Sequence, residues 1–192
     1  MTGVVAGPDG LPRCPWAVTS ADYTAYHDDE WARPVHGEAE LFERLCLEAF
    51  QSGLSWLTIL RKRPAFRAAF AGFEPARVAQ FGDEDRRRLL ADAGIVRNRA
   101  KIDAAIANAR SVLRLDGSLD DLLWGFRPDG SRPAPRTLAE VPASTPESAA
   151  MAKALRREGF RFVGPTTAYA LMQATGMVDD HLADCAFRPS LR

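Results

Sequence analysis

The chain has 192 residues, with 25 Lys and Arg balancing 25 Asp and Glu, and 46% of it is hydrophobic. That length suits one domain or two small lobes sharing a cleft, and that apolar fraction excludes a disordered chain. The balanced charge excludes a global field drawing the protein onto nucleic acid, so any such site must be a local patch or use backbone amides. Three cysteines, Cys14, Cys46 and Cys185, do not suit a disulfide framework. No apolar run reaches membrane-spanning length, and the start, MTGVVAGPDGLP, lacks the charged head and long apolar core of a signal peptide. These features point to a soluble, cytoplasmic protein with reduced thiols and no membrane partner.

Residues 1–12 are rich in Gly and Pro and read as a flexible tail. Arg13–Trp31 is dense in aromatic and polar groups without a period, the mark of a segment that lines a site or covers the core. Glu38–Ser52 has helical period, with Leu41, Phe42, Leu45 and Ala49 on one face. Gly53-Leu54-Ser55-Trp56 breaks it. Ser55 can cap a new helix running to about Arg63, and Pro64 is expected to start another. Asp83–Ala93 is helical and stops at Gly94. Asn98–Leu115 follows, with Ile102, Ile106, Ala109 and Leu113 inward, and then a short helix over Ser118–Phe126. Arg127–Pro142 is a Pro-rich loop. Ser144-Thr145-Pro146-Glu147 has capping-box spacing at the start of a helix over Pro146–Glu158. The turn Phe162-Val163-Gly164-Pro165 leads into a last helix, Thr166–Thr175. No strand alternation, repeat or low-complexity tract is visible, so the expected class is all-α.

Some residues in this pattern point to chemistry. Glu48 lies three residues after Leu45 and seven after Leu41, which puts a carboxylate on the apolar stripe. Such a charge is costly unless its head reaches water, it is paired, or it is used. His181 and Cys185 are four apart, and Cys14 and His27 lie near the other end of the chain. Together they form a Cys2His2 set suited to tetrahedral zinc, although the spacing is not that of a standard finger. Cys46, on the helix near its apolar face, reads as a core thiol, and His36 as exposed. The turn at 162–165 is either an ordinary helix corner or a hairpin that offers backbone N–H groups to a phosphate.

The runs RCPW, YHDDEW, LFERLCLEAFQSGLSW, GIVRNRAKI and GFRFVGPTTAYALMQATGMVDDH, with the final Cys185, resemble the DNA-3-methyladenine glycosylase I family. The resemblance spans Arg13 to Cys185, nearly the whole chain. It implies a helix-hairpin-helix DNA glycosylase fold over residues 13–192, a single domain with two lobes around a cleft. It also implies one structural zinc, held by Cys14, His27, His181 and Cys185, that ties the N- and C-terminal segments together. The implied activity is base-excision repair. A monomer would flip 3-methyladenine out of double-stranded DNA containing alkylated bases and release it by hydrolysis, without strand cleavage.

Residue by residue, Glu48 matches the acidic group of the family's base pocket. Trp56 matches the aromatic that stacks on the base, and Tyr26 a residue that contacts it. Trp16, Tyr23 and Trp31 fall in the same wall. Gln51, Gly53 and Leu54 match the turn that wedges into the DNA. Val163, Gly164, Pro165, Thr166 and Thr167 match the hairpin that grips the phosphate backbone. Against other hairpins of the superfamily, Phe162 replaces the first glycine and Thr166 the lysine, which disfavours an amine nucleophile and lyase chemistry. Asp179 stands where relatives outside the family keep a catalytic aspartate and where the family often has Asn. Two other readings stay open: a zinc-stapled DNA-binding module without chemistry, and a broader alkyl-base glycosylase using Asp179.

Overall fold

The computed structural model describes residues 3–130 and 132–189. Among the described residues its regular structure is helical apart from one two-stranded antiparallel pair, β1 (Val5–Ala6) and β2 (Pro12–Arg13). The stretch expected as a flexible tail thus contributes both strands of this pair, while its residues 1–2 lie outside the described residues. The turn between the strands is closed by Gly10 N–H to Gly7 O and Gly7 N–H to Leu11 O, and Asp9 pairs with Arg13 at 2.6 Å. A side-chain clamp of this kind lies beyond the reach of hydrophobic periodicity.

Nine α-helices follow among the described residues: α1 (Ala21–Asp29), α2 (Glu38–Gln51), α3 (Trp56–Ala69), α4 (Pro75–Val78), α5 (Asp83–Ala91), α6 (Arg99–Val112), α7 (Leu119–Trp124), α8 (Pro146–Arg157) and α9 (Pro165–Ala174). The α2 helix is the centre of the molecule. Leu41 through Phe50 are buried apart from Arg44, which is partly so, because α3, α6, α7 and α9 pack around the helix. A helix apolar on most of its faces is buried from most sides. Phe42, Phe50, Phe66, Phe70 and Phe73 form a contiguous aromatic core, with Phe70 and Phe73 stacked at 5.4 Å. The Cys46 thiol is part of it.

Several boundaries differ from expectation. Pro64 does not start a helix but sits inside α3, which runs unbroken to Ala69. The packing of Ile59, Phe66 and Ala69 holds the helix together across the one missing N–H. Leu113 is exposed rather than inward, because α6 ends at Val112 and that residue takes the buried position. The cap of α8 is Thr145 with Ser148, one residue later than the expected box.

Two features position the site. Gly176 (φ +73°) ends α9 where a Cβ would lie 2.6 Å from the Arg33 backbone carbon. That gap lets the 31–35 segment dock on α9, through Ala32 N–H to Gln173 O and Val35 N–H to Thr175 O. The second is the turn between α8 and α9. Asn108 on α6 accepts from Arg161 N–H at 2.7 Å and donates to Arg161 O at 3.1 Å, pinning the turn's backbone from below.

Candidate active site

A cavity of about 360 Å³ opens where the Pro15–Thr19 turn, α1, α2, the start of α3 and α9 converge. Its volume lies at the small end of the ~300–1,000 Å³ range of ligand cavities. Each of the six base-pocket residues expected from the sequence lines it: Trp16, Tyr23, Tyr26, Trp31, Glu48 and Trp56. Ser20 caps α1, which then presents Tyr23 and Tyr26 on one face at i, i+3. Ser55 caps α3 and sets Trp56 as its first residue, and the Tyr23 hydroxyl accepts from Leu57 N–H at 3.0 Å. Trp16 is the hub of the wall, edge-on to Tyr23 at 5.5 Å and to Trp31 at 5.0 Å. Tyr26 lies tilted against Trp56 at 5.4 Å.

Glu48 is the one carboxylate on α2's cavity side, 6% exposed and without a hydrogen bond to another described residue. Burial pushes its pKa up to about 8, and the pull of Arg44, one turn earlier on α2, only partly offsets that. Tyr26 is likewise pushed up, first by burial and then by the neighbouring Glu48. The site thus offers an aromatic box with one uncommitted acid, which suits a flat, cationic, hydrogen-bond-donating ring.

The four metal-type residues are also brought together. The ligand atoms of Cys14, His27 and Cys185 lie within 4.8 Å of one another, and all three side chains are buried. The His181 ring centre stands 4.7 Å from that of His27, and its Nε2 is buried without a partner among the described residues. Both imidazoles are oriented the same way. His27 Nδ1 bonds Asp28 at 2.8 Å, and Asp28 is held by Arg13; His181 Nδ1 bonds Asp179 at 2.8 Å, and Asp179 is held by Arg188. Burial alone would push both carboxyls up, but their His and Arg hydrogen bonds outweigh it and hold them low. A carboxylate behind each Nδ1, with Nε2 aimed inward, is the outer shell of a histidine metal ligand. The donor set and the orphaned Nε2 fit a closed tetrahedral zinc site. Trp16 and Trp31 lie against His27 and His181, at 5.1 Å and 4.6 Å, so this cluster and the cavity share a wall.

Asp179 therefore serves the cluster and does not line the cavity. The adjacent residue does. Asp180, missed in the sequence, is fully buried at the cavity edge. It accepts from the Tyr169 hydroxyl (2.5 Å), from Gln173 Nε2 (2.8 Å) and from Arg132. Alternation was the available signal: in an extended segment, if Asp179 faces His181 then Asp180 faces away.

The DNA-type residues fall on two turns, the one after α2 and the one between α8 and α9. Gln51 lines the cavity, Gly53 (φ +79°) makes the turn, and Leu54 projects 42% exposed. In the α8–α9 turn, Val163 is buried, Gly164 caps α9, Pro165 takes its first position, and Thr166 is exposed with Thr167 beside it. Phe162 occupies the left-handed region (φ +56°), a conformation that glycine adopts freely, and its ring is 43% exposed.

A family model described as methyladenine glycosylase matches residues 16–189. The DNA-3-methyladenine glycosylase 1 of Escherichia coli (strain K12) is 44% identical over 185 residues, covering 93% of this chain and 98% of the relative. A crystal structure of 3-methyladenine DNA glycosylase I superposes with a TM-score of 0.88 at 45% identity, covering 92% of this chain and all of that one. The Staphylococcus aureus 3-methyladenine DNA glycosylase I, solved to explain 3-methyladenine recognition, gives a TM-score of 0.89 at 33% identity, covering 94% and 98%.

Proposed function

The chain belongs to the methyladenine glycosylase family, and on that premise we propose that it is a base-excision repair enzyme releasing 3-methyladenine from alkylated DNA. It works as a cytoplasmic monomer, on double-stranded DNA, through a helix-hairpin-helix domain with its cleft at the aromatic cavity. The observation that carries the reading is Glu48, a buried and uncommitted carboxylate inside an aromatic box.

The base must leave the stack before C1′ can be reached. Leu54 and Gln51, on the turn after α2, fill the space it vacates. The base enters the cavity and stacks on Trp56 with Tyr26 beside it; Trp16, Tyr23 and Trp31 complete the wall. While bound to the sugar, 3-methyladenine is a cation, so an electron-rich wall favours it over neutral adenine. Glu48 accepts a hydrogen bond from the exocyclic amine and stabilises positive charge on the base and on the sugar as the bond loosens. The C1′–N electron pair passes to the ring, which leaves neutral. Water adds to C1′ and gives up its proton. The α8–α9 turn carries Thr166 and no lysine, so no amine traps the sugar and no strand nick follows. Cys14, His27, His181 and Cys185 would hold one zinc, which would supply rigidity rather than chemistry. Incubation with methylated duplex DNA should release free 3-methyladenine and leave alkali-labile but un-nicked strands. A protein that binds DNA and frees no base would be a binding module only.

Phosphate contacts come from the N–H groups at the start of α9 and from exposed Lys153, Arg156 and Arg161. With 25 basic and 25 acidic residues, the dependence of binding on salt should correspond to only a few neutralised phosphates. A slope like that of a strongly basic repressor would count against this contact set.

The reading that assigns chemistry to Asp179 is weaker, because both of its oxygens are engaged, by His181 and Arg188.

A further inference from the structure

The α2 helix ends in the turn that carries Gln51, Gly53 and Leu54, and the carbonyls of Phe50 and Ser52 there point to a common donor. One side chain gathers them. Lys101, in the first turn of α6, donates from Nζ to Phe50 O at 2.9 Å and to Ser52 O at 2.6 Å. Between those two, Gln51 O accepts from Leu54 N–H at 2.6 Å. Three successive carbonyls are thus committed, and Leu54 is left pointing outward.

The lysine is 8% exposed and has no carboxylate partner within ion-pair distance among the described residues. Burial lowers its pKa. A lone ammonium in that position costs stability that an apolar chain of the same length would not. The carbonyls and the negative end of α2 offset part of this cost. What the arrangement secures is local geometry. Lys101 lies beneath the point where the cavity residues Glu48 and Gln51 pass into the exposed Gly53–Leu54 tip. Its own backbone is held in turn, since Asn98 caps α6 on Lys101 N–H at 3.2 Å.

We propose that Lys101 is a positioning residue for base extrusion: it holds the 51–54 turn in the shape that enters the duplex, without touching the base. This rests on the reading of that turn as the DNA wedge. A turn with loose carbonyls would have to be ordered during binding, and that ordering would weaken the complex with extruded-base DNA. Binding of the free base, which needs only the cavity, would not be affected.

Four proteins test it: wild type, Lys101→Met, Leu54→Ala and the double variant. Each is titrated with duplex DNA carrying an abasic-site analogue, followed by anisotropy, and with free 3-methyladenine, followed by tryptophan fluorescence. Each single variant should weaken binding to the abasic duplex by about tenfold, and the double variant by no more than about tenfold, since both remove one device. Affinity for the free base should stay within about twofold of wild type in all three variants. If Lys101→Met does not fold, Lys101→Gln, which keeps donors without the charge, takes its place. Multiplying effects, or unchanged binding by the lysine variant beside a weakened Leu54→Ala, overturns the proposal while leaving the wedge standing. Equal loss of free-base binding reduces Lys101 to a fold-supporting residue and overturns it too. If Leu54→Ala itself binds as wild type, the wedge reading fails and takes the proposal with it.

Discussion

Cys185→Ala should strip the protein of its metal and lower its melting temperature by roughly 10 °C or more. The wild-type protein should carry one zinc per chain. Three buried ligand atoms lie within 4.8 Å of one another, and His181 adds a buried nitrogen with no partner among the described residues. The Cys14 thiol beside it holds the Cys185 thiol below the ordinary range of a cysteine. Ligands near residue 14 and near residue 185 would make a bound ion a crosslink between chain ends. Structural zinc sites bind with on the order of 10 kcal/mol, comparable to the whole stability of a domain. Excision should fall along with the metal, because Trp16 and Trp31 rest against the two histidines and also form the cavity wall. Metal content by plasma emission spectrometry and thermal unfolding read both effects. A zinc-free wild type, or a Cys185→Ala protein with full metal and unchanged melting, would refute the staple.

The second large effect concerns Glu48. Losing a hydrogen bond to a charged group costs about 1.5–3 kcal/mol, so Glu48→Gln should slow release of 3-methyladenine by roughly ten- to a hundredfold and weaken discrimination against adenine. The leaving group is already activated by methylation, which is why the loss should be partial. Asp179→Asn should be milder, since an amide oxygen can still accept from His181 Nδ1. Single-turnover excision by both variants decides the roles; a dead Asp179→Asn beside a near-normal Glu48→Gln would reverse them.

The acid also predicts a pH profile and a stability change. Its pKa is raised from 4.5 to about 8 by burial. Acting as an acceptor it must be ionised, so kcat/KM should climb toward pH 8, and the climb should vanish in Glu48→Gln. Stability runs the other way. Between the two pKa values the unfolded chain binds fewer protons than the folded one, so the contribution of Glu48 is fully present below about pH 4.5 and is lost as pH rises toward 8. At pH 7 that loss is about 3 kcal/mol, and Glu48→Gln should melt several degrees higher than wild type while working more slowly. A variant both slower and less stable would show that Glu48 is a structural acid.

Much of this was legible from local pattern. Helical period exposes α2 and α6, and a carboxylate on an apolar stripe draws attention to Glu48 without any fold in hand. The motif resemblance brought in Tyr26 and Trp56, donor type and spacing had already singled out the four cysteine and histidine residues, and the folded chain does bring these residues together. What stayed hidden depends on contacts distant in sequence. Asp180 matters because Tyr169, Gln173 and Arg132 reach it, and Lys101 because it lies under a turn some fifty residues away. Proline's preference for a first helical position also misled at Pro64, since tertiary packing outweighed one missing hydrogen bond.

Lys101 and Asn108 stand seven residues apart on α6, close to two full turns, so they leave the helix on the same side about 10 Å from each other. One grasps the carbonyls beneath Leu54 and the other grasps the Arg161 peptide. If the 51–54 turn is the wedge and the α8–α9 turn the backbone clamp, as proposed, the helix would act as a strut between them. The distance from the extruded nucleotide to the gripped phosphate would then be gauged by the pitch of an α-helix lying between the two contacts.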